Sequence, residues 1–146
     1  MLQSRFKMPS RDELKKRMDK IPDNLMKECP ICHTTFFSMR MCKQRTCPNC
    51  GFGFRITARR RAKITFDTFD EMDADVTVPD QYDDKKYRGK IAKAKKVTGI
   101  KESVLTGIGS LDHQKVAAGI MDPFFIMGSL GSATGEKIVR LFEKAT

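Results

Sequence analysis

The chain has no tryptophan, two tyrosines and two histidines in 146 residues. With a hydrophobic fraction of 40%, it can build a core, but only a modest one. No apolar run approaches the roughly eighteen residues of a membrane span. No signal-peptide pattern opens the sequence either: Arg5, Lys7, Arg11 and Lys15 to Arg17 interrupt each apolar stretch near the N-terminus. The expectation is a cytoplasmic protein, in a reducing compartment where paired cysteines bind metal more often than they form disulfides. His33 and His113 support no Ser/His/Asp or Cys/His arrangement, and no carboxylate pair has a defensible spacing. No catalytic residue can therefore be assigned.

What is present is a pair of matched turns, Cys29-Pro30-Ile31-Cys32 and Cys47-Pro48-Asn49-Cys50-Gly51. Two residues between paired cysteines let both sulfurs of a tight turn face one ion, and four such ligands complete a tetrahedron. Proline after the first cysteine and glycine after the last suit turns whose φ is preset or positive. Four ordinary buried or reactive thiols are the bland alternative; the doubled turn with its turn residues favours zinc on Cys29, Cys32, Cys47 and Cys50. Four thiolates leave no position open, so this zinc is structural. Cys42 is left over as a free thiol, and His33 is a bystander beside Cys32.

The net charge of +10 comes in blocks. Residues 67–84 hold eight acids and no base, and residues 85–101 hold eight bases and no acid. A basic module could neutralise phosphates, or the two blocks could partly cancel in space. Weak, sequence-independent nucleic-acid binding is the most that charge implies.

Along the chain, residues 1–24 read as an N-terminal helical arm. Ser10-x-x-Glu13 forms a capping box, Leu14, Met18 and Ile21 share a face, and Pro22 ends the helix. Residues 25–66 read as a zinc ribbon with a basic helix. In it residues 34–41 form a hairpin arm, and alternating Phe52, Phe54 and Ile56 form a strand. Thr57 then caps a helix whose Ala58, Ala62, Phe66 and Phe69 share one face, with Arg59, Arg60 and Arg61 mostly opposite. Residues 67–84 read as an acidic linker, with Pro79 against a continuous helix. From residue 85, a helix capped by Asp84 and stopped by Gly99 carries the lysines outward. Two strands, 103–111 and 114–121, follow, joined at Asp112-His113, and their glycines and alanines imply close layering. A final helix from about Ser129 to Ala145 presents Ile138, Leu141, Phe142 and Ala145 on one face. At its start Gly128, Gly131 and Gly135 fit either tight helix–strand packing or an anion-binding helix N-terminus.

These elements, in this order, resemble the carboxyltransferase β subunit of bacterial acetyl-CoA carboxylase. The likeness runs through Ile21-Pro22-Asp23-Asn24-Leu25-Met26-Lys27-Glu28-Cys29-Pro30-Ile31-Cys32, the second turn, Ile56-Thr57-Ala58-Arg59 and the Tyr82-to-Ala94 region. It ends on Phe125-Ile126-Met127-Gly128-Ser129-Leu130-Gly131-Ser132-Ala133-Thr134-Gly135. Met26 stands where many relatives have tryptophan, and Met127 where some have a further glycine. The resemblance implies a zinc ribbon followed by the start, a ββα unit, of a crotonase/ClpP-like α/β domain over residues 85–146. It implies transfer of a carboxyl group from carboxybiotin to acetyl-CoA, giving malonyl-CoA for fatty-acid synthesis. Biotin would arrive only indirectly, on a partner carrier protein, and an α subunit would complete the site. Of the residues present, Gly128, Ser129 and Gly131 would form a share of the acyl-CoA wall, whose backbone N–H groups stabilise a thioester enolate. The family subunit is about twice this length and continues into a Gly-Gly-Ala-Arg segment. The expectation is thus the N-terminal half only: a truncated or split copy, inactive alone and needing the missing β half. The rival readings are a basic zinc-ribbon nucleic-acid-binding protein and a non-catalytic fragment that docks on carboxylase subunits.

Overall fold

The computed structural model describes residues 9–18, 25–78 and 84–146. Ile21, Pro22 and Pro79, on which parts of the sequence reading rested, lie outside them. The chain forms two compact units, Met1–Gly53 and Phe54–Thr146.

In the first unit, helix α1 (Arg11–Met18) begins on the expected capping box. The Ser10 amide donates to Glu13 Oε2 at 3.0 Å, and the Glu13 amide to Ser10 Oγ at 3.3 Å, so two amides of the first turn are satisfied reciprocally. Strand β1 (Met26–Glu28) pairs antiparallel with β2 (Thr35–Phe37), in the register Met26 to Phe37 and Glu28 to Thr35. The hairpin arm expected over residues 34–41 is thus shorter, because a 3-10 turn, Ser38–Arg40, follows at once. The strand expected through Phe52, Phe54 and Ile56 does not form, and a single bridge between Thr46 and Gly53 stands in its place. The carbonyl of Phe52 is already taken by the Cys47 amide, at 2.8 Å, which closes the second cysteine turn.

The second unit is a three-stranded antiparallel sheet in the order β3-β4-β5, with β3 at Thr68–Met72, β4 at Val104–Leu111 and β5 at Gln114–Met121. Strands β4 and β5 turn over at Asp112 and His113, both with positive φ (50° and 66°), the geometry of a two-residue hairpin turn. Strand β3 corrects the reading of residues 67–84 as a linker: its register runs from Thr68 opposite Ser110 to Met72 opposite Thr106. Its acids do not prevent pairing, because it is an edge strand that sends alternate side chains to opposite faces. The unit is therefore more than ββα.

Helix α2 (Ala58–Thr65), expected to belong with the ribbon, lies in the second unit. Its buried Ala58 and Ala62 form a core with Leu105, Ile100, Phe125 and Ala94, the last from helix α3 (Lys85–Thr98). Two small residues one turn apart let this helix sit close to the sheet. Thr57 caps it as read, Oγ1 accepting from the Arg60 amide at 3.4 Å. The carboxylate of Asp122, fully buried, adds a second cap by accepting from the Ala58 amide at 2.7 Å and from Phe124 N at 2.9 Å. Close layering holds on this face. A Cβ at Gly109 would come within 2.5 Å of the Phe66 ring, and one at Gly107 would collide with the Phe69 ring and the Asp70 carbonyl. The two phenylalanine rings, 5.4 Å apart, cover the glycines.

Helix α3 has its Asp84 cap, Oδ1 accepting from the Lys86 amide at 2.8 Å, and its left-handed Gly99 stop at φ 71°. On the opposite sheet face, helix α4 (Ser132–Ala145) buries Ala133, Thr134, Lys137 and Leu141. This stripe is rotated from the expected one: Phe142 is exposed, and the interior position is filled by Lys137, whose Nζ donates to the Val104 carbonyl at 3.0 Å. A lysine stem packs like an aliphatic chain, so the apolar pattern alone does not place it.

Candidate metal centre and glycine-led helix

The two cysteine turns are near copies of one another. The Cys29 carbonyl accepts from His33 N at 2.9 Å and the Cys47 carbonyl from Gly51 N at 3.0 Å; both donors sit in left-handed conformations, at φ 54° and 76°. Gly51 adopts it freely, and His33 is the cost-bearing equivalent in the first turn. The imidazole points away from the sulfurs, its Nδ1 3.2 Å from Glu28 Oε1, with both side chains largely exposed.

These turns bring the Sγ atoms of Cys29, Cys32, Cys47 and Cys50 within 4.8 Å of one another. Two pairs are closer, Cys29–Cys50 at 3.6 Å and Cys32–Cys47 at 3.8 Å. Zn–S bonds of about 2.3 Å at the tetrahedral angle put neighbouring sulfurs about 3.8 Å apart, so the donor set and its spacing fit a four-coordinate ion. The electrostatics agree. The Cys32 thiol is lowered to about 5, first by the Thr34 hydroxyl, 3.4 Å away, and also by its backbone and by Asn49. Cys50 is pushed up to about 12: the Phe52 amide pulls it down, but removal from water and the crowd of Cys29, Cys32 and Cys47 outweigh that pull. Four sulfurs this close cannot all ionise without a cation between them. Cys42 stands apart, exposed, with Sγ 2.9 Å from Thr46 Oγ1, which lowers its pKa.

The approach to α4 is the second feature. Ile126, Met127 and Gly128 lie at φ 46°, 56° and 75°, so three successive residues are left-handed, two of them not glycine. Ser103 pins this loop: its hydroxyl donates to the Ser129 carbonyl at 2.6 Å and lies 2.9 Å from Thr134 Oγ1. Gly131 is the N-cap of α4, with extended backbone and no side-chain cap, whereas α2 and α3 are capped by Thr57 and Asp84. Added Cβ atoms at Gly131 and Gly135 would meet nothing within 4 Å among the described residues. Tight helix–strand packing, one of the two readings of the three glycines, thus has no contact behind it at Gly131 and Gly135 among the described residues, whereas a Cβ at Gly128 would lie 3.7 Å from the Asp122 carbonyl. Sequence reasoning missed Asp122 and Lys137; neither has a spacing signal, since each is defined by partners 64 and 33 residues away.

No family model matches the chain. Curated proteins do. Over all 146 residues it is 74% identical to the acetyl-coenzyme A carboxylase carboxyl transferase subunit beta of Lactobacillus helveticus, covering 52% of that protein. The corresponding subunit of Levilactobacillus brevis is 56% identical over the same 146 residues, with 53% of it covered. That of Pediococcus pentosaceus is 46% identical over 99% of the chain and 53% of its own length. The chain spans about half the length of the curated relatives it matches. By sequence it is thus a relative of acetyl-coenzyme A carboxylase carboxyl transferase beta subunits, alike over essentially all of its own length and about half of theirs.

Proposed function

We propose that the chain supplies part of a carboxyltransferase β subunit: a ribbon held by structural zinc and the beginning of a crotonase-like domain. What carries the reading is high identity to such subunits across the whole chain, with the four-sulfur cluster and the glycine-led helix both inside the matched stretch. Zinc on Cys29, Cys32, Cys47 and Cys50 would hold the two turns together, with no ligand position left for water or substrate. The reaction proposed is transfer of a carboxyl group from carboxybiotin to acetyl-CoA in the cytoplasm. Its partners would be an α subunit, a biotin carrier protein and the remaining part of a β subunit. Gly128, Ser129 and Gly131 would form one wall for the thioester, and the amides at the start of α4 would face the developing enolate oxygen. The Ser103 bonds would fix that loop. Such a site needs its donors fixed relative to one another, and loss of one costs about a hundredfold or more in rate. One wall alone should turn over no substrate.

The test is to mix the purified chain with a carboxyltransferase α subunit, acetyl-CoA and carboxybiotin. No malonyl-CoA is expected until a polypeptide carrying the rest of a β subunit is added. Gly131→Val should then damage activity while leaving the fold intact, because its Cβ points into open space. Malonyl-CoA from the chain and α alone would overturn the one-wall reading. None with all polypeptides present would overturn the carboxyltransferase reading.

A further inference from the structure

Helix α3 has six lysines and one arginine in fourteen residues, and no acid. Lys86, Lys90, Lys93 and Lys96 follow one another at four, three and three residues, a spacing that puts neighbours side by side on one exposed face about 15 Å long. Like charges at these spacings repel, so the stripe weakens its own helix. The acidic block just upstream is the obvious counterweight, but three of its described carboxylates pair elsewhere. Glu71 pairs with Arg59 at 2.9 Å, Asp73 with Arg140 at 3.2 Å, and Asp75 with Lys101. None of the four stripe lysines makes an ion pair among the described residues.

We infer that the lysine face of α3 is a docking surface for an acidic protein segment, with carboxylates at matching helical spacing. Two features favour a short acidic segment over a long polyphosphate chain. Carboxylates bound the stripe: Asp84 caps its N-terminal end, and Asp75, almost fully exposed, sits on Lys101 just past its C-terminal end. A continuous polyanion running through would meet both. The four stripe positions also hold lysines alone, with no guanidinium fork among them, and the aromatic ring beside them is the single Tyr87, three residues before Lys90. Binding would relieve the repulsion along the helix and add no apolar burial, so it should be fast, salt-sensitive and of modest affinity.

The probe is a labelled fourteen-residue helical peptide with glutamates at i, i+4, i+7 and i+10, against its glutamine counterpart and a duplex DNA of matched charge. Fluorescence anisotropy with the full, zinc-loaded chain should show the glutamate peptide bound at least tenfold more tightly than either comparator, with the difference shrinking as salt rises. The variant Lys86→Glu/Lys90→Glu/Lys93→Glu should lose the glutamate peptide and gain its lysine counterpart. Should that variant fail to fold by circular dichroism, Lys86→Gln/Lys93→Gln should still weaken binding severalfold. The inference is overturned if the glutamate peptide does not bind, if binding ignores these substitutions, or if DNA binds more tightly than the peptide.

Discussion

The two units of this chain solve the problem of staying folded in different ways. In the first, the fully or nearly buried apolar side chains among the described residues are Cys29, Phe36 and Cys47, two of them members of the four-sulfur cluster. Its sheet, among those residues, is two strands of three residues. In the second, Val104, Leu105, Ile100, Phe125, Ala58, Ala62, Ala94, Ala133 and Leu141 are buried around a three-stranded sheet. A fully buried Val, Leu or Phe contributes about 1.5–3 kcal/mol, so among the described residues the second unit has much the larger apolar core. The difference teaches that the ribbon has most to gain from an ion on its four-sulfur cluster, which the sheet unit does not contain.

Removing the metal should break the comparison most completely. Cys47→Ser is expected to abolish stoichiometric zinc and unfold residues 25–53, while amides of β4 and β5 keep their hydrogen-exchange protection; a chelator should do the same to the unaltered chain. Full zinc occupancy in the serine variant would end the four-thiolate assignment. Leu105→Ala attacks the other unit. It should cost about 2–5 kcal/mol in denaturant unfolding of the sheet unit and leave zinc content at one per chain.

Lys137 sharpens the contrast, because it is a defect in the better core. Its pKa is lowered, chiefly by burial, against the raising influence of Glu71, Asp73 and Glu102. The unfolded chain therefore holds this proton to higher pH than the folded one. Between the folded and unfolded pKa values, stability rises with pH, and at neutral pH the fold carries the cost of a buried cation. Lys137→Met should stabilise the sheet unit by about 1 kcal/mol at neutral pH, with the gain shrinking as pH approaches 10.5. A gain that grows with pH would refute this.

Smaller still, Thr57→Ala should cost about 0.5 kcal/mol, at the low end for a lost N-cap, because Asp122 continues to cap α2 from across the fold. Smallest of all, Cys42→Ser should change neither zinc content nor stability. In the zinc-loaded protein Cys42, exposed and with its pKa lowered beside Thr46, should be the thiol that iodoacetamide labels first.

Where a feature depends on neighbours along the chain, the sequence was sufficient. The cysteine turns, the Ser10–Glu13 box, the Asp84 and Thr57 caps, the Gly99 stop and the Asp112-His113 hairpin are all set by residues within a few positions of each other. Backbone dihedrals and local hydrogen bonds decide them. Tertiary structure alone decided that an acid-rich segment becomes β3, since that pairing was made favourable by Gly107 and Gly109, nearly forty residues on, which leave room for Phe66 and Phe69. It decided that α2 joins the sheet and that α4 turns Lys137 inward and Phe142 outward. It also decided that, among the described residues, Lys86, Lys90, Lys93 and Lys96 make no ion pair. Each of these is a contest between partners distant in sequence, settled by shape and desolvation, which no local spacing records.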